Sequence, residues 1–483
     1  MDWPKLLAPV RLSGKTDPKD SDYRTMFQED WDRVAFSSAF RRLQGKTQVH
    51  PFPEKDYIHT RLTHSIETAS VGRSLGYKAG QVLCQQCPEL AGTLSAADVG
   101  VMVATGCLIH DIGNTPFGHS GEDTIQAWFR AWFEADPNRA NRLGLSDCER
   151  ADFTCFEGNA QGFRTVTRLQ GSSDDFGLNL TLPVLAAAMK YPRYSVVHPP
   201  AELGPWQQRA SAKKFHVYQS ERWHLQTLAE TLGLLELAEG YYARHPLAFL
   251  VEAADDICYN IIDIEDAFKL GLLSLEDAAS LLGGVIDTHR TEFSIKNLLS
   301  VLCTPDKKIM RLRAMAIDTL IKESSRLFDC ERAAMLNGTY DTPLLNHPDF
   351  AYRPGLAAIQ KRSRAEIYEH RSKLELEMAG CAIISGLLDE FVPAAMAFIE
   401  TRDPNRLSKP HRKILRLINF PLVGLDEDDP ADDTLQTGQR VLYDQLIHQS
   451  PYDILLRVTD YVSGMTDDYA TDMYRKLQGI AHV

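Results

Sequence analysis

The stretch "AADVGVMVATGCLIHD", residues 96–111, decides the fold. Its apolar side chains fall on nearly every face of a 3.6-residue helix, so it reads as a helix buried all round. It ends in His110 and Asp111, two side chains that cost free energy in an apolar interior unless something pairs with them. The chain then continues as "HDIGNTPFGHSGE" (110–122), where Gly113, Pro116 and Gly118 interrupt the helix and His119 and Glu122 follow. A buried helix that delivers an imidazole and a carboxylate to a tight turn points to a polar site inside a helical protein.

Most of the remaining chain also reads as helix. The pattern holds over 64–87, over 120–136, where Ser120 precedes Glu122 and Asp123 as a helix start, and over 246–271, from Pro246 to Gly271. Further helical patterns lie near 306–335, 372–400, 436–447 and 451–478, and strand signals are few and short, one of them around 215–218. No repeat with a period of 20 to 50 residues is present. Residues 192–212 and 341–355 read as proline-rich loops, and "GLDEDDPADDTL" (424–435) as an acidic, solvated one. None resembles a low-complexity linker. The expectation is a mainly α chain with one large domain and long loops: an N-terminal segment over 1–40, a catalytic core with insertions over 41–300, and a C-terminal helical region over 301–483 packed on the core.

The 483 residues are 44% apolar, enough for a sizeable core. With 52 Lys and Arg against 65 Asp and Glu, the net charge of −13 argues against a surface coated for phosphate, while leaving room for a local basic patch. Nine irregularly spaced cysteines suit free thiols in a reducing compartment better than a disulfide framework. Cys84 and Cys87 have the spacing of half a zinc site or a redox pair, but no second close pair follows and they sit within a helical pattern, which favours a structural reading. The opening "MDWPKLLAPVRLSGKTDPKD" is charged and broken by proline, unlike a signal peptide. No run approaches the roughly 18 apolar residues of a membrane span, so the expectation is a cytoplasmic protein with no membrane partner.

A divalent metal held by nitrogen and oxygen needs imidazoles and carboxylates converging from rigid elements. His110 and Asp111 close one buried helix, His64 lies early in another, and Asp255 and Asp256 interrupt the apolar "FLVEAADDICYNII" (249–262). Each has a bland reading, as a satisfied core histidine or a surface acid; their coincidence on separate buried helices raises a metal site to an equal footing with it. Asp255, Tyr259 and Asp263 recur at i, i+4 and i+8, one stripe of a helix. That stripe suits one wall of a pocket for a sugar, or simply a polar face. His119 and Glu122 are three apart at a helix entry, where a carboxylate can orient a proton-handling imidazole. A metal beside such a pair implies hydrolysis of a phosphoester or anhydride.

The set His64, His110, Asp111 and Asp255 resembles the metal signature of the HD-domain phosphohydrolases. More narrowly, "RRLQGKTQV" (41–49), "RLTHSIE" (61–67), "HDIGNTPFGHSGE" (110–122), "FEGNAQGFR" (156–164), "EAADDICYNIIDIEDA" (252–267) and "DYVSGMTDDYA" (460–470) resemble, in order over nearly the whole chain, blocks of the bacterial deoxyguanosine triphosphate triphosphohydrolases. The resemblance implies His64, His110, Asp111 and Asp255 as metal ligands and His119 with Glu122 as the catalytic pair. It implies Gln48 and Asp263 on the sugar 3′-hydroxyl, Tyr259 where a ribose 2′-hydroxyl would sit, and Arg61 and Lys190 on the phosphates. Asn114 stands where animal relatives carry another histidine, so that role is not transferred to it.

The implied reaction is attack of water at the α-phosphorus of a dNTP, dGTP above all, yielding a deoxynucleoside and tripolyphosphate. The resemblance further implies a Mn2+ or Mg2+ cofactor, with Fe2+, Ni2+ and Zn2+ also compatible, a homo-oligomer that is a hexamer in many relatives, and single-stranded DNA as an effector. Two rivals follow: a broad dNTPase or HD phosphohydrolase acting on another nucleotide, and a nucleotide- or DNA-binding regulator without turnover. The complete ligand quartet and the intact His119–Glu122 pair argue against the second.

Overall fold

The computed structural model of the chain describes residues 1–16, 24–48, 59–90, 92–171, 175–197, 209–287, 300, 304–368, 371–418 and 447–480. The chain is mainly α, as the periodicity requires. Helices that matter below are α1 (Arg61–Gln86), α2 (Ala96–Ile109), α3 (His119–Glu134), α4 (Pro246–Lys269), α5 (Pro305–Leu336), α6 (Arg371–Thr401), α7 (Pro451–Ser463) and α8 (Asp467–Leu477). The chain divides into two compact units, Met1–Gly113 with Asn159–Glu375, and Asn114–Gly158 with Leu376–Val483.

The first unit is organised by α1, α2 and α4. Thr60 caps α1, and Ser95 caps α2 in a reciprocal box with Asp98, so both helices start where their free N–H groups find side-chain oxygens. Pro246 opens α4 behind His245, whose Nδ1 accepts from the Leu247 amide at 3.1 Å. Gly72, Gly76 and Gly80 make one stripe of α1 that lies directly on α2. A Cβ at Gly76 would stand 2.7 Å from the Val99 carbonyl oxygen and 3.0 Å from the Gly100 Cα, so only glycine permits the approach. Helix α4 then seals the pair with Ala253, Ala254, Ile257 and Ile261, all fully buried.

The second unit has its own core. Phe129 of α3 packs on Phe153 with ring centroids 4.9 Å apart, Phe153 meets Tyr452 of α7, and Phe391 of α6 meets Tyr461. Helix α6, over Lys373–Thr401, is long and apolar enough to cross a membrane by length and composition, which corrects the expectation of no such run. A core helix passes the same test, and 56% of the apolar window is buried inside the fold.

Several local expectations change. Helix α3 begins at His119, with Gly118 rather than Ser120 ahead of it, because the turn arrives in a φ of 65° that suits glycine. The segment read as helix over 451–478 is two helices, α7 and α8, split at Gly464 and recapped by Thr466. The strand expected near 215–218 contributes only a bridge from Val217 to Tyr194; among the described residues the sheet is a short antiparallel hairpin, β1 (Glu236–Ala238) with β2 (Tyr241–Tyr242), turning at Gly240. Cys84 and Cys87 are free thiols. The acidic loop at 424–435 and nearly all of the helix expected at 436–447 fall outside the described residues.

The glycine stripe yields a direct test. Gly76→Ala is expected to destabilise the protein by about 1–3 kcal/mol, the usual penalty for overpacking, although alanine is the better helix former. Urea unfolding read by circular dichroism checks this; unchanged or increased stability would mean that α1 and α2 part readily.

Candidate metal centre

Three of the four expected ligands meet in the first unit. His64 projects from the first turn of α1, His110 is the residue that closes α2, and Asp255 sits midway along α4. Asp255 Oδ1 lies 3.1 Å from His64 Nε2 and 3.5 Å from His110 Nε2. The two imidazole centroids are 5.4 Å apart, and one ligand atom from each residue falls within 4.8 Å of the others. His110 Nδ1 is 2.6 Å from the Cys107 carbonyl oxygen. Donation there fixes the ring orientation and, in the neutral tautomer, leaves the Nε2 lone pair facing Asp255.

Asp111 adjoins this trio. Its Oδ1 is 3.6 Å from His110 Nε2, while its Oδ2 accepts from Arg61 Nη1 at 3.0 Å. Arg61, expected on phosphate, is therefore buried and paired with a ligand candidate, with its Nε unbonded.

Electrostatics favour a cation here. Burial works against charge on His110, yet Asp111 and Asp255 hold its imidazole up to about 9. Burial likewise opposes charge on Asp255, and His110 and His64 hold its carboxyl well below the usual range. Two imidazole nitrogens and a carboxylate oxygen at these separations fit the first shell of a first-row divalent ion. Cys84 and Cys87 take no part in such a group.

The α4 stripe is real. Asp255, Tyr259 and Asp263 follow one another along the helix, and Tyr259 stacks on Tyr368 with centroids 5.6 Å apart and planes 15° from parallel. The Tyr368 hydroxyl donates to Asp263. Burial pushes the Asp263 carboxyl up to about 7 despite that bond. Tyr368 escaped the sequence reading because its segment, Arg364–Tyr368, is a π-type turn with no metal or phosphate pattern around it. Gln48 is half-buried, and its Oε1 has no hydrogen-bond partner.

Lys190 faces another part of α4. Its Nζ is 3.2 Å from Glu252 Oε1, and the other Glu252 oxygen accepts from buried Arg244 at 2.8 Å. Burial opposes the charge, but Glu252, Asp256 and Asp255 raise the Lys190 ammonium well above its ordinary range. The sequence assigns Arg244 and Glu252 no role, although Glu252 opens the block at 252–267, because a lone Arg and Glu in apolar surroundings carry no spacing signal.

His119 and Glu122 lie in the second unit. His119 is exposed at the first position of α3, and Glu122 is buried one turn later. A Cβ at Gly158 would stand 2.4 Å from Glu122 Oε1 and 2.8 Å from Asn114 Oδ1, so glycine in "FEGNAQG" is the seat of that carboxylate. Phe117 adopts a φ of 61°, uncommon for a bulky side chain, and its amide donates to Asp467 Oδ1 at 3.0 Å.

No protein-family model matches the chain. It is 38% identical over 493 residues, covering 99% of both chains, to a protein of Pseudomonas aeruginosa described as deoxyguanosinetriphosphate triphosphohydrolase-like. A Synechocystis protein of the same description is 36% identical over the full length of both. The deoxyguanosinetriphosphate triphosphohydrolase of Salmonella paratyphi A is 31% identical over 94% of each.

The chain belongs to the deoxyguanosinetriphosphate triphosphohydrolase family. Members of this family are named as hydrolases, and the motif blocks that suggested the resemblance span the same near-complete length.

The Asp263 carboxyl gives a pH prediction. Its folded value of about 7 exceeds the ordinary 3.8, so its contribution to stability is fully present below about 3.8 and is lost as pH rises through 7. Asp263→Asn removes this titration. The variant's melting temperature is expected to gain on wild type between pH 4 and 7 and to run parallel above; a constant offset across that window would contradict the buried, protonated carboxyl.

Proposed function

We propose that the chain is a metal-dependent dNTP triphosphohydrolase that converts dGTP and water to deoxyguanosine and tripolyphosphate. The observation that carries the proposal is the convergence of His64, His110 and Asp255 on one point, in a chain whose near-full-length relatives are named for this activity.

In this reading His64, His110 and Asp255 hold a divalent cation, with Asp111 as the fourth ligand. When bound, the ion supplies Lewis acidity toward the α-phosphate. The oxygen of water bonds to the α-phosphorus, the bond from phosphorus to O5′ breaks, and a proton reaches O5′. His119, supported by Glu122, handles a proton at the attacking water or at the leaving oxygen. Arg61 and Lys190 meet the charge of the triphosphate. The unbonded Oε1 of Gln48 suits donation from a 3′-hydroxyl, and Asp263 binds the same group. Tyr259 excludes a 2′-hydroxyl, which selects deoxyribose.

The family resemblance extends the proposal to Mn2+ or Mg2+ as the ion, a cytoplasmic homo-oligomer, and single-stranded DNA as an effector.

The test is hydrolysis of the four dNTPs and of GTP with Mn2+ or Mg2+, with products resolved by chromatography. Wild type is expected to release tripolyphosphate and deoxyguanosine from dGTP. His119→Ala is expected to lose about 10²–10⁴-fold in kcat, the range for general acid–base groups, and Tyr259→Ala to gain on GTP relative to dGTP. Release of pyrophosphate or orthophosphate instead, or no turnover of any dNTP with or without single-stranded DNA, would refute the proposal.

A further inference from the structure

His59 lies just ahead of α1 and has no part in the chemistry above. Its Nδ1 is 2.8 Å from both carboxylate oxygens of Asp266, and its Nε2 is 3.2 Å from Glu67 Oε2 and 3.3 Å from Glu67 Oε1. Its backbone N–H also faces Asp266 Oδ2 at 3.4 Å. Glu67 belongs to α1, three residues beyond His64; Asp266 belongs to α4, three beyond Asp263. One imidazole therefore spans the two helices that supply His64 and Asp255, the pair in closest contact within the trio. Burial opposes its charge, but the two carboxylates hold the ring up to about 10, so it is an imidazolium at neutral pH.

We infer that His59 is a positioning residue of the metal centre, tying Glu67 on α1 to Asp266 on α4 and thereby fixing the separation of His64 from Asp255. The end of α1 already has its cap in Thr60, so capping leaves the bridge to α4 unexplained. Without the imidazolium, two carboxylates on facing helices would confront each other, one of them, Asp266, buried. Like charges at such range repel, and a buried unpaired carboxylate is costly. The easiest relief is for the two helices to move apart. Three residues are less than one helical turn, about 5 Å along the axis. A shift at His59 thus reaches His64 directly, and a metal site is intolerant of displacements of a few tenths of an ångström in its ligands.

The inference rests on reading His64, His110 and Asp255 as a metal site, so the experiment measures metal binding itself. Mn2+ affinity of the full chain is determined by calorimetry and by electron paramagnetic resonance for wild type, His59→Ala, His59→Gln and Asp266→Asn, alongside metal-free melting temperatures. Removing a partner outside the ligand shell commonly weakens binding about 10–100-fold. His59→Ala is expected to weaken Mn2+ binding by about tenfold or more, and His59→Gln, which can donate one hydrogen bond without charge, to recover part of the loss. If His59→Ala fails to fold, Asp266→Asn carries the test, with weaker binding again expected. Lower melting temperatures with unchanged Mn2+ affinity would overturn the inference and leave His59 a purely structural residue. Failure of wild type itself to bind Mn2+ would instead overturn the metal reading beneath it.

Discussion

An ionised carboxylate in the middle of an apolar helix has to be paired, and Asp255 is paired twice, with His64 at 3.1 Å and His110 at 3.5 Å. Those two imidazoles arrive on different helices, so the pairing holds only while α1 and α2 keep close contact with α4. The glycine stripe at 72, 76 and 80 supplies the closeness of α1 to α2, because a Cβ at Gly76 or Gly80 would run into the backbone of α2, while the small, buried Ala253 and Ala254 let α4 pack on the pair. Apolar packing thus sets the geometry, and the charged groups at its polar end inherit it. The Cys107 carbonyl adds orientation, since the helix that buries His110 also presents the acceptor for its Nδ1.

The second unit solves a different problem with the same economy. The turn before α3 places both Phe117 and Gly118 at positive φ, a conformation a phenylalanine holds only when its surroundings over-determine it. Asp467 accepts the Phe117 amide, and Gly380 leaves room for the Phe117 ring. The sequence blocks around 117 and 467 are some 350 residues apart, yet one side chain from the latter secures the backbone of the former. Glu122 depends similarly on Gly158, whose missing Cβ is the space its carboxylate fills.

Much of this was legible from the sequence where the signal is periodic or chemical. The all-round apolar run of α2 and the apolar periodicity of α4 constrain burial strongly enough to predict both helices, and the polar residues within them, His110 and Asp255, mark where a cluster with His64 forms. What escaped detection lacked either kind of signal. Tyr368 reaches Asp263 from a short π-type turn, and Arg244 reaches Glu252 from a loop; only the fold brings such residues together. The cap of α3 lies two residues ahead of Ser120, because the backbone conformation of Gly118, rather than a serine hydroxyl, governs the entry. The apolar stretch of α6 is not an unbroken apolar run, because Asp389, Glu390 and Pro393 interrupt it, although its mean hydropathy is high.

Within the first unit, Asp111 joins the cluster to Arg61. A carboxylate has two oxygens and about four acceptor positions, and here the oxygens face different ways. Oδ1 is turned toward His110 Nε2, while Oδ2 takes the guanidinium of Arg61. The two roles are compatible, because one oxygen can serve the centre while the other holds the arginine. Arg61 pulls the Asp111 carboxyl below its usual range against the effect of burial, so the oxygen facing the centre stays anionic across the neutral range. The arrangement also fixes where Arg61 stands. It is the first residue of α1, one turn before His64, and its bond to Asp111 anchors the guanidinium beside the trio while leaving its Nε unbonded. A guanidinium tethered to a buried carboxylate is ordered by that bond, so its side chain keeps little conformational freedom. Replacing that arginine with lysine would keep the charge but lose the planar fork that lets one head group meet a carboxylate and a second anion together.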